Sequence, residues 1–278
     1  MARTIDRTGV AAQGAAMRRP VCFALALLLI ALSGMATAQV QPHRAEYALR
    51  LGSALNAPRI GTAVQDLTQD CGGWRIKRDI TTEIALTTSW KLSVASKLDG
   101  EEGRSGAAFR FRTVQIQNGA EREITGRVQK TGDQTRVEIM WPNGPNQFTV
   151  PPSTLMPVAG LRHLVERLGA GAGSFPALTF DAEVIADAFL VEVAELDPGV
   201  LRPGRPADKP VAVPGKSWPA ALSFTRGRFQ DQRPMFSVNA LVFDSGVLDR
   251  LTVNTGLVSV TADLVALQMH PVPVCPRS

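Results

Sequence analysis

Hydrophobic and polar residues alternate along most of the chain. In HRAEYALRL (43–51), Ala45, Tyr47, Leu49 and Leu51 share one parity, and Arg44, Glu46 and Arg50 take the other. EIALTTSWKLSV (83–94) is sharper. Ile84, Leu86, Trp90, Leu92 and Val94 fall on even positions; Glu83, Thr87, Ser89, Lys91 and Ser93 fall on odd ones. Successive side chains of a strand point to opposite faces, so this period marks half-buried strands, and the second stretch predicts one continuous strand. AFRFRTVQI (108–116) starts with Phe109 and Phe111 in phase and then passes to Val114 and Ile116. That slip near Thr113 predicts a bulge or bend. REITGRVQ (122–129) and TRVEIMW (135–141) continue the pattern, with Asn118-Gly119 and Gly132-Asp133 as turns. Such short links predict an antiparallel meander with one wet face.

One segment leaves this period. PPSTLMPVAGLRHLVERLGAGAG (151–173) places Val158, Leu161, Val165 and Leu168 at helical spacing, with Pro157 fit for the first turn and Gly169 for the end. A single helix over about 157–168 is predicted, packed on a sheet, with Arg162 and Glu166 as an i,i+4 pair on its outer side. Strand patterns resume at ALTFDAEV (177–184), AFLVEVAEL (188–196), AALSFTRG (220–227) and 234–270. Between them, 197–219 carries six prolines and reads as a loop: a linker between domains, or an excursion within one.

The N-terminal 38 residues change the count of everything else. Arg18-Arg19, the apolar run Val21–Leu32 and Ala36-Thr37-Ala38 form the three parts of a secretory signal, too short for a comfortable membrane span. Cleavage after Ala38 is expected, and Met17 is an alternative start. Cys22 then leaves with the signal, and Cys71 and Cys275 remain. Two cysteines in an oxidising compartment favour one structural bridge, with free or intermolecular thiols as the alternative. The first 38 residues hold four Arg and one Asp, which leaves +2 of the formal +5 for the rest. That is no footprint for nucleic acid. The single tyrosine, the helix and the proline-rich loop argue against an outer-membrane barrel.

Catalytic patterns are missing. His43, His163 and His270 follow no metal-ligand spacing, and neither a Gly-x-Ser-x-Gly elbow nor a phosphate loop occurs. No metal, cofactor or catalytic residue is therefore assigned. Asp70, Asp79, Glu83, Asp181 and Glu183 are the carboxylates that could still converge in space.

Five ordered elements carry a family resemblance: HRAEYALRL, DCGGW (70–74), PPSTLMPVAGLRHLVERLGAG before LTFDA, SWPAALSF (217–224), and PMFSVNALVFDSGVLDRLTVN before a terminal cysteine. Together they resemble the alphaproteobacterial cell-envelope integrity protein EipB and its relatives, over nearly all of 43–275. The resemblance implies a single periplasmic domain over 39–278, a mainly β antiparallel spiral or open barrel-like sheet with one principal helix. It also implies a disulfide between Cys71 and Cys275 and a role in envelope integrity without known catalysis. The chain departs from the family at TFDAEVIADA (179–188), where FDGSD is expected, and after 245.

In a spiral sheet, inward aromatics either fill a core or line a cavity. Trp74, Trp90, Trp141, Phe109 and Phe111 are the candidate lining residues, with Trp218, Phe236 and Phe243 beside them. The expected ligand is a lipid or an amphipathic peptide, and the expected partners are periplasmic envelope proteins. An envelope enzyme acting on glycan or lipid through clustered carboxylates is the alternative.

Overall fold

The alternating stretches form strands, and almost every strand pairs with the one before it. A computed structural model describes residues 39–85, 91–205, 211–227 and 233–276. The expected signal segment 1–38 with its expected cleavage site, and Trp90, lie outside these. The first half holds β1 (His43–Leu51), β2 (Arg59–Gln69), β3 (Gly73–Ala85), β4 (Lys91–Gly103), β5 (Ala108–Gln117), β6 (Ala120–Thr131), β7 (Gln134–Trp141) and β8 (Gly144–Val150). Helix α1 (Pro157–Gly169) follows. Then come β9 (Ser174–Asp181), β10 (Asp187–Glu195), β11 (Ser217–Arg226), β12 (Phe236–Phe243), β13 (Leu248–Asn254) and β14 (Ser259–Met269).

All fourteen make one antiparallel sheet, ordered β8-β7-β6-β5-β4-β3-β2-β1-β14-β13-β12-β11-β10-β9. β1 and β14 pair with each other in the middle of the sheet. The two sheet edges, β8 and β9, are neighbours in sequence. The 151–173 connection carrying α1 separates them and leaves the sheet open. A short parallel bridge covers part of the β9 edge: Leu155 N–H donates to Leu178 O (2.7 Å), and Phe180 N–H to Leu155 O (2.8 Å).

The Cys71–Cys275 disulfide joins the β2–β3 turn to the segment after β14, across 204 positions. Asp70 shapes that turn. Its Oδ1 accepts from the backbone N–H of Gly72 (2.8 Å) and Gly73 (3.0 Å), which holds its carboxyl below the usual range. Gly73 is required for a steric reason, because a Cβ there would lie 2.1 Å from Glu102 O on the next strand.

Three local expectations differ from the structure. Residues 83–94 are not one strand: β3 stops at Ala85, β4 starts at Lys91, and Ile84 pairs with Leu92. Paired residues share a face, and 84 and 92 share parity, so alternation runs through the hairpin unbroken. No bulge occurs at Thr113, since β5 pairs with both neighbours without a register shift. Thr113 stays on the inner face, fully buried. Val114 and Ile116 turn outward beside Val64 in a groove of about 520 Å³ rimmed by Lys77, Lys97 and Arg112. Finally, α1 includes Gly169. Ala170 closes it, and Gly171 takes the left-handed conformation (φ 66°) that ends such helices.

The proline-rich segment is anchored to the sheet. Asp263 on β14 accepts from Arg202 Nη1 (2.6 Å) and Arg205 Nη1 (2.5 Å). Arg205 also donates to Thr261 Oγ1 (3.0 Å) and Ala54 O (2.8 Å), and Arg202 to Ala262 O (2.9 Å). All three charged side chains are at most 15% exposed. Burial pulls the Arg202 guanidinium below its usual value, with Asp263 opposing. Val211 and Val213 pack on the apolar cluster around Tyr47, Leu49 and Leu264.

Candidate functional site

Register lets the inner face be followed from strand to strand. Its lowest row runs Trp74, Glu102, Phe109, Val128, Val137, Phe148. The next runs Ile76, Gly100, Phe111, Gly126, Ile139. The two glycines make room for rings. A Cβ at Gly126 would lie 2.4 Å from Phe111 Cζ, and one at Gly100 2.8 Å from Phe109 Cε2. Phe109 and Phe111 stack at 5.5 Å, and Phe180 from β9 closes over both, at 6.2 and 5.7 Å.

Helix α1 fills the space beside these rows through Val158, Val165 and Leu168. No side chain of its own caps its N-terminus. Glu102 does so from β4, accepting from Val158 N–H (2.7 Å) and Ala159 N–H (2.9 Å). This satisfies two of the donors a helix start leaves unpaired. Burial pushes the Glu102 carboxyl up to about 7, against the pull of those two N–H groups. A carboxyl raised from 4.5 binds its proton more tightly in the folded state. Its stabilisation is therefore full below pH 4.5 and is lost as pH rises through 7. The size is on the order of 2–3 kcal/mol. Urea midpoints of the wild type are expected to fall between pH 5 and 8, and Glu102→Gln should flatten that slope. An unchanged slope in the variant would contradict the assignment.

Above the aromatic rows the inner face turns polar. The β9–β10 turn reaches over it: Arg78 pairs with Glu183, Ser96 Oγ donates to Glu183 Oε1 (3.1 Å), and Thr113 Oγ1 donates to Ala182 O (2.8 Å). Arg78 also donates to Gln65 Oε1 (2.9 Å). Glu183 beside it raises the Arg78 pKa. Asp181 Oδ2 accepts from the backbone N–H of Glu183, Val184 and Ile185, at 3.2, 2.6 and 2.9 Å, and burial raises its carboxyl pKa. Asp181 and Glu183 thus converge, while Asp70, Asp79 and Glu83 stay on the solvent side.

The opposite wall is apolar and less filled. Pairing puts Val191, Phe224 and Phe236 in one row and Val193, Leu222, Val238, Val253 and Val260 in the next. Phe224 and Phe236 stack at 4.5 Å, with Phe189 edge-on to both. Leu222, Phe224, Phe236, Val238, Leu251 and Val253 remain only half-buried although they share the inner face.

The candidate lining residues divide accordingly. Trp74, Phe109 and Phe111 are 5, 0 and 5% exposed and share one apolar cluster with the buried side chains of α1, with Phe180 against the two phenylalanines, so they offer a ligand almost no surface. Trp141 is half-buried, with the Arg122 guanidinium 5.6 Å from its ring centre. Trp90 is outside the described residues. Trp218 and Phe236 lie on the apolar wall, and Phe243, with the opposite parity, packs in the Tyr47 cluster. The sequence reading passed over Glu102 and Arg78, while Glu183 was among the carboxylates it named. A signal existed for both: Arg78 lies in phase with Ile76 and Ile80, and Glu102 with Leu98, so each is a charge on an apolar parity.

The histidines are dispersed. His43 is fully buried, with Nδ1 2.8 Å from Gln41 O, and burial lowers its pKa. His163 meets Phe175 edge-on, and His270 Nε2 lies 2.9 Å from Asp66 Oδ1. Among the described residues no group of three or more His, Cys, Asp or Glu could hold a metal, and no helix is long and apolar enough to cross a membrane.

An open antiparallel spiral closed upon one internal helix defines a β-barrel-like class of protein. A solved structure of that class, the beta-barrel-like protein of domain of unknown function DUF1849 from Brucella abortus, has a similar fold. Its TM-score is 0.70 at 20% identity, over 84% of this chain and all of that one. The EipB-like family model matches residues 35–271, and the chain belongs to that family. No curated protein matches the chain.

Proposed function

We propose that this is an exported, non-enzymatic envelope protein that holds an apolar ligand inside its spiral, and thereby supports envelope integrity. The observation that carries the reading is the half-buried inner wall of β11–β13. Side chains such as Phe224, Phe236, Val238 and Val253 face inward yet keep accessible surface. Apolar area is stabilised by roughly 25 cal/mol per Å² when removed from water, so an incompletely filled inner wall favours an acyl chain or the apolar face of an amphipathic segment. The family and the export-signal pattern support a periplasmic location, and the disulfide is consistent with an oxidising one.

Hydrolysis through carboxylates is the weaker reading. Asp181 and Glu183 do converge, but backbone amides, Arg78 and Ser96 occupy them. That arrangement fixes a turn and leaves no free base.

The test is native mass spectrometry of the protein from its own envelope, beside the Val238→Trp variant. The wild type should carry an apolar adduct, and the variant, whose added ring fills the wall, should lose it. Equal adducts in both would move the site elsewhere.

A further inference from the structure

One end of the sheet presents leucines to solvent from turns that are built to hold them there. Leu257, at the β13–β14 tip, is 95% exposed, and Leu55, in the β1–β2 loop, is 60% exposed. The two loops are neighbours, since Gly52 N–H donates to Ser259 O at 2.7 Å. Neither is loosely held. In the hairpin, Thr255 N–H donates to Val258 O (3.1 Å), Val258 N–H donates to Thr255 Oγ1 (3.3 Å), and Gly256 adopts φ 84°. In the other loop, Arg50 Nη1 donates to Ala57 O (2.8 Å), Arg205 Nη2 to Ala54 O (2.8 Å), and Thr261 Oγ1 to Gly52 O (3.1 Å).

The charge around these tips has one sign. Residues 50–62 contain Arg50 and Arg59 and no acid, and the hairpin tip 254–259 is uncharged; Arg250, further along β13, faces Asp249 at 3.9 Å. Exposed Arg59 has no carboxylate partner among the described residues. The nearest acid on the adjoining strand, Glu83, is neutralised by Lys91 at 2.7 Å. Apolar tips beside Arg50 and Arg59 match an anionic bilayer surface, where leucines enter the acyl boundary and guanidiniums meet phosphates.

We infer that the β1–β2 and β13–β14 tips form a docking surface for an anionic lipid bilayer. The surface is distinct from the inner wall and can be tested without any internal ligand.

The protein should co-sediment with phosphatidylcholine vesicles containing phosphatidylglycerol, and at least tenfold less with phosphatidylcholine alone. The Leu55→Asn, Leu257→Asn double variant should lose at least tenfold of the anionic-vesicle binding while keeping its melting temperature. Arg59→Glu should weaken binding several-fold. A Leu257→Trp reporter should shift its emission to the blue on anionic vesicles. Absence of wild-type binding, or undiminished binding by the double variant, overturns the inference. So does a lipid-free dimer that the double variant abolishes, because the tips would then meet a second copy. Retention of the internal adduct, measured on the same samples, reports on the inner wall separately.

Discussion

Replacing Cys71 with Ser is expected to lower the unfolding free energy by about 4 kcal/mol. The bridge closes a loop spanning 204 positions, and the chain-entropy account gives about 5 kcal/mol for that length, a figure real bridges often fall short of. Topology adds to this. The bridge ties the β2–β3 turn to the tail of β14, whose pairing with β1 joins the two halves of the sheet. Without it, the tail is held near the start of the chain by His270, through its N–H to Pro42 O (2.9 Å) and its ring to Asp66. Urea unfolding of Cys71→Ser, Cys275→Ser and the double variant should give the same loss in all three. Equal midpoints for the oxidised wild type and the variants would show that the bridge is not the staple of the sheet.

Asp263→Ala should cost about as much, roughly 3–5 kcal/mol. It strips the partner from two guanidiniums that are 8 and 7% exposed, and an uncompensated buried charge is far more costly than a missing pair. The proline-rich segment should loosen with it, visible as faster proteolysis within 197–219. Combining Asp263→Ala with Arg202→Leu and Arg205→Leu should recover part of the loss, because no buried charge is then left alone. A loss under 1 kcal/mol in the single variant would mean that water reaches these arginines and the segment is only loosely attached.

The fold was legible because alternation is a direct record of a sheet with one buried face. The helix stood out for the same reason, as the one segment where Val158, Val165 and Leu168 change period. What the pattern hid is also physical. Ile84 and Leu92 face each other across a turn with matching parity, so a hairpin reads like a strand. Val114 and Ile116 are apolar but point outward, so a straight strand reads like a bent one. The site was less visible. Aromatic content pointed at Trp74, Phe109 and Phe111, yet those rings are buried in one apolar cluster with α1, and the accessible apolar wall is on β11–β13. Strand-to-strand register, which a single sequence does not encode locally, decides which wall the helix covers. Glu102 shows the same gap: its role depends on a helix start 56 positions away.

The most direct test of the central claim, that the inner wall of β11–β13 is an occupied site, is the mass of the native protein set against its delipidated and refolded form. The account predicts an excess mass in the native sample that organic extraction removes and that Val238→Trp lacks. Native and extracted samples of identical mass, with Val238→Trp as stable as the wild type, would contradict it.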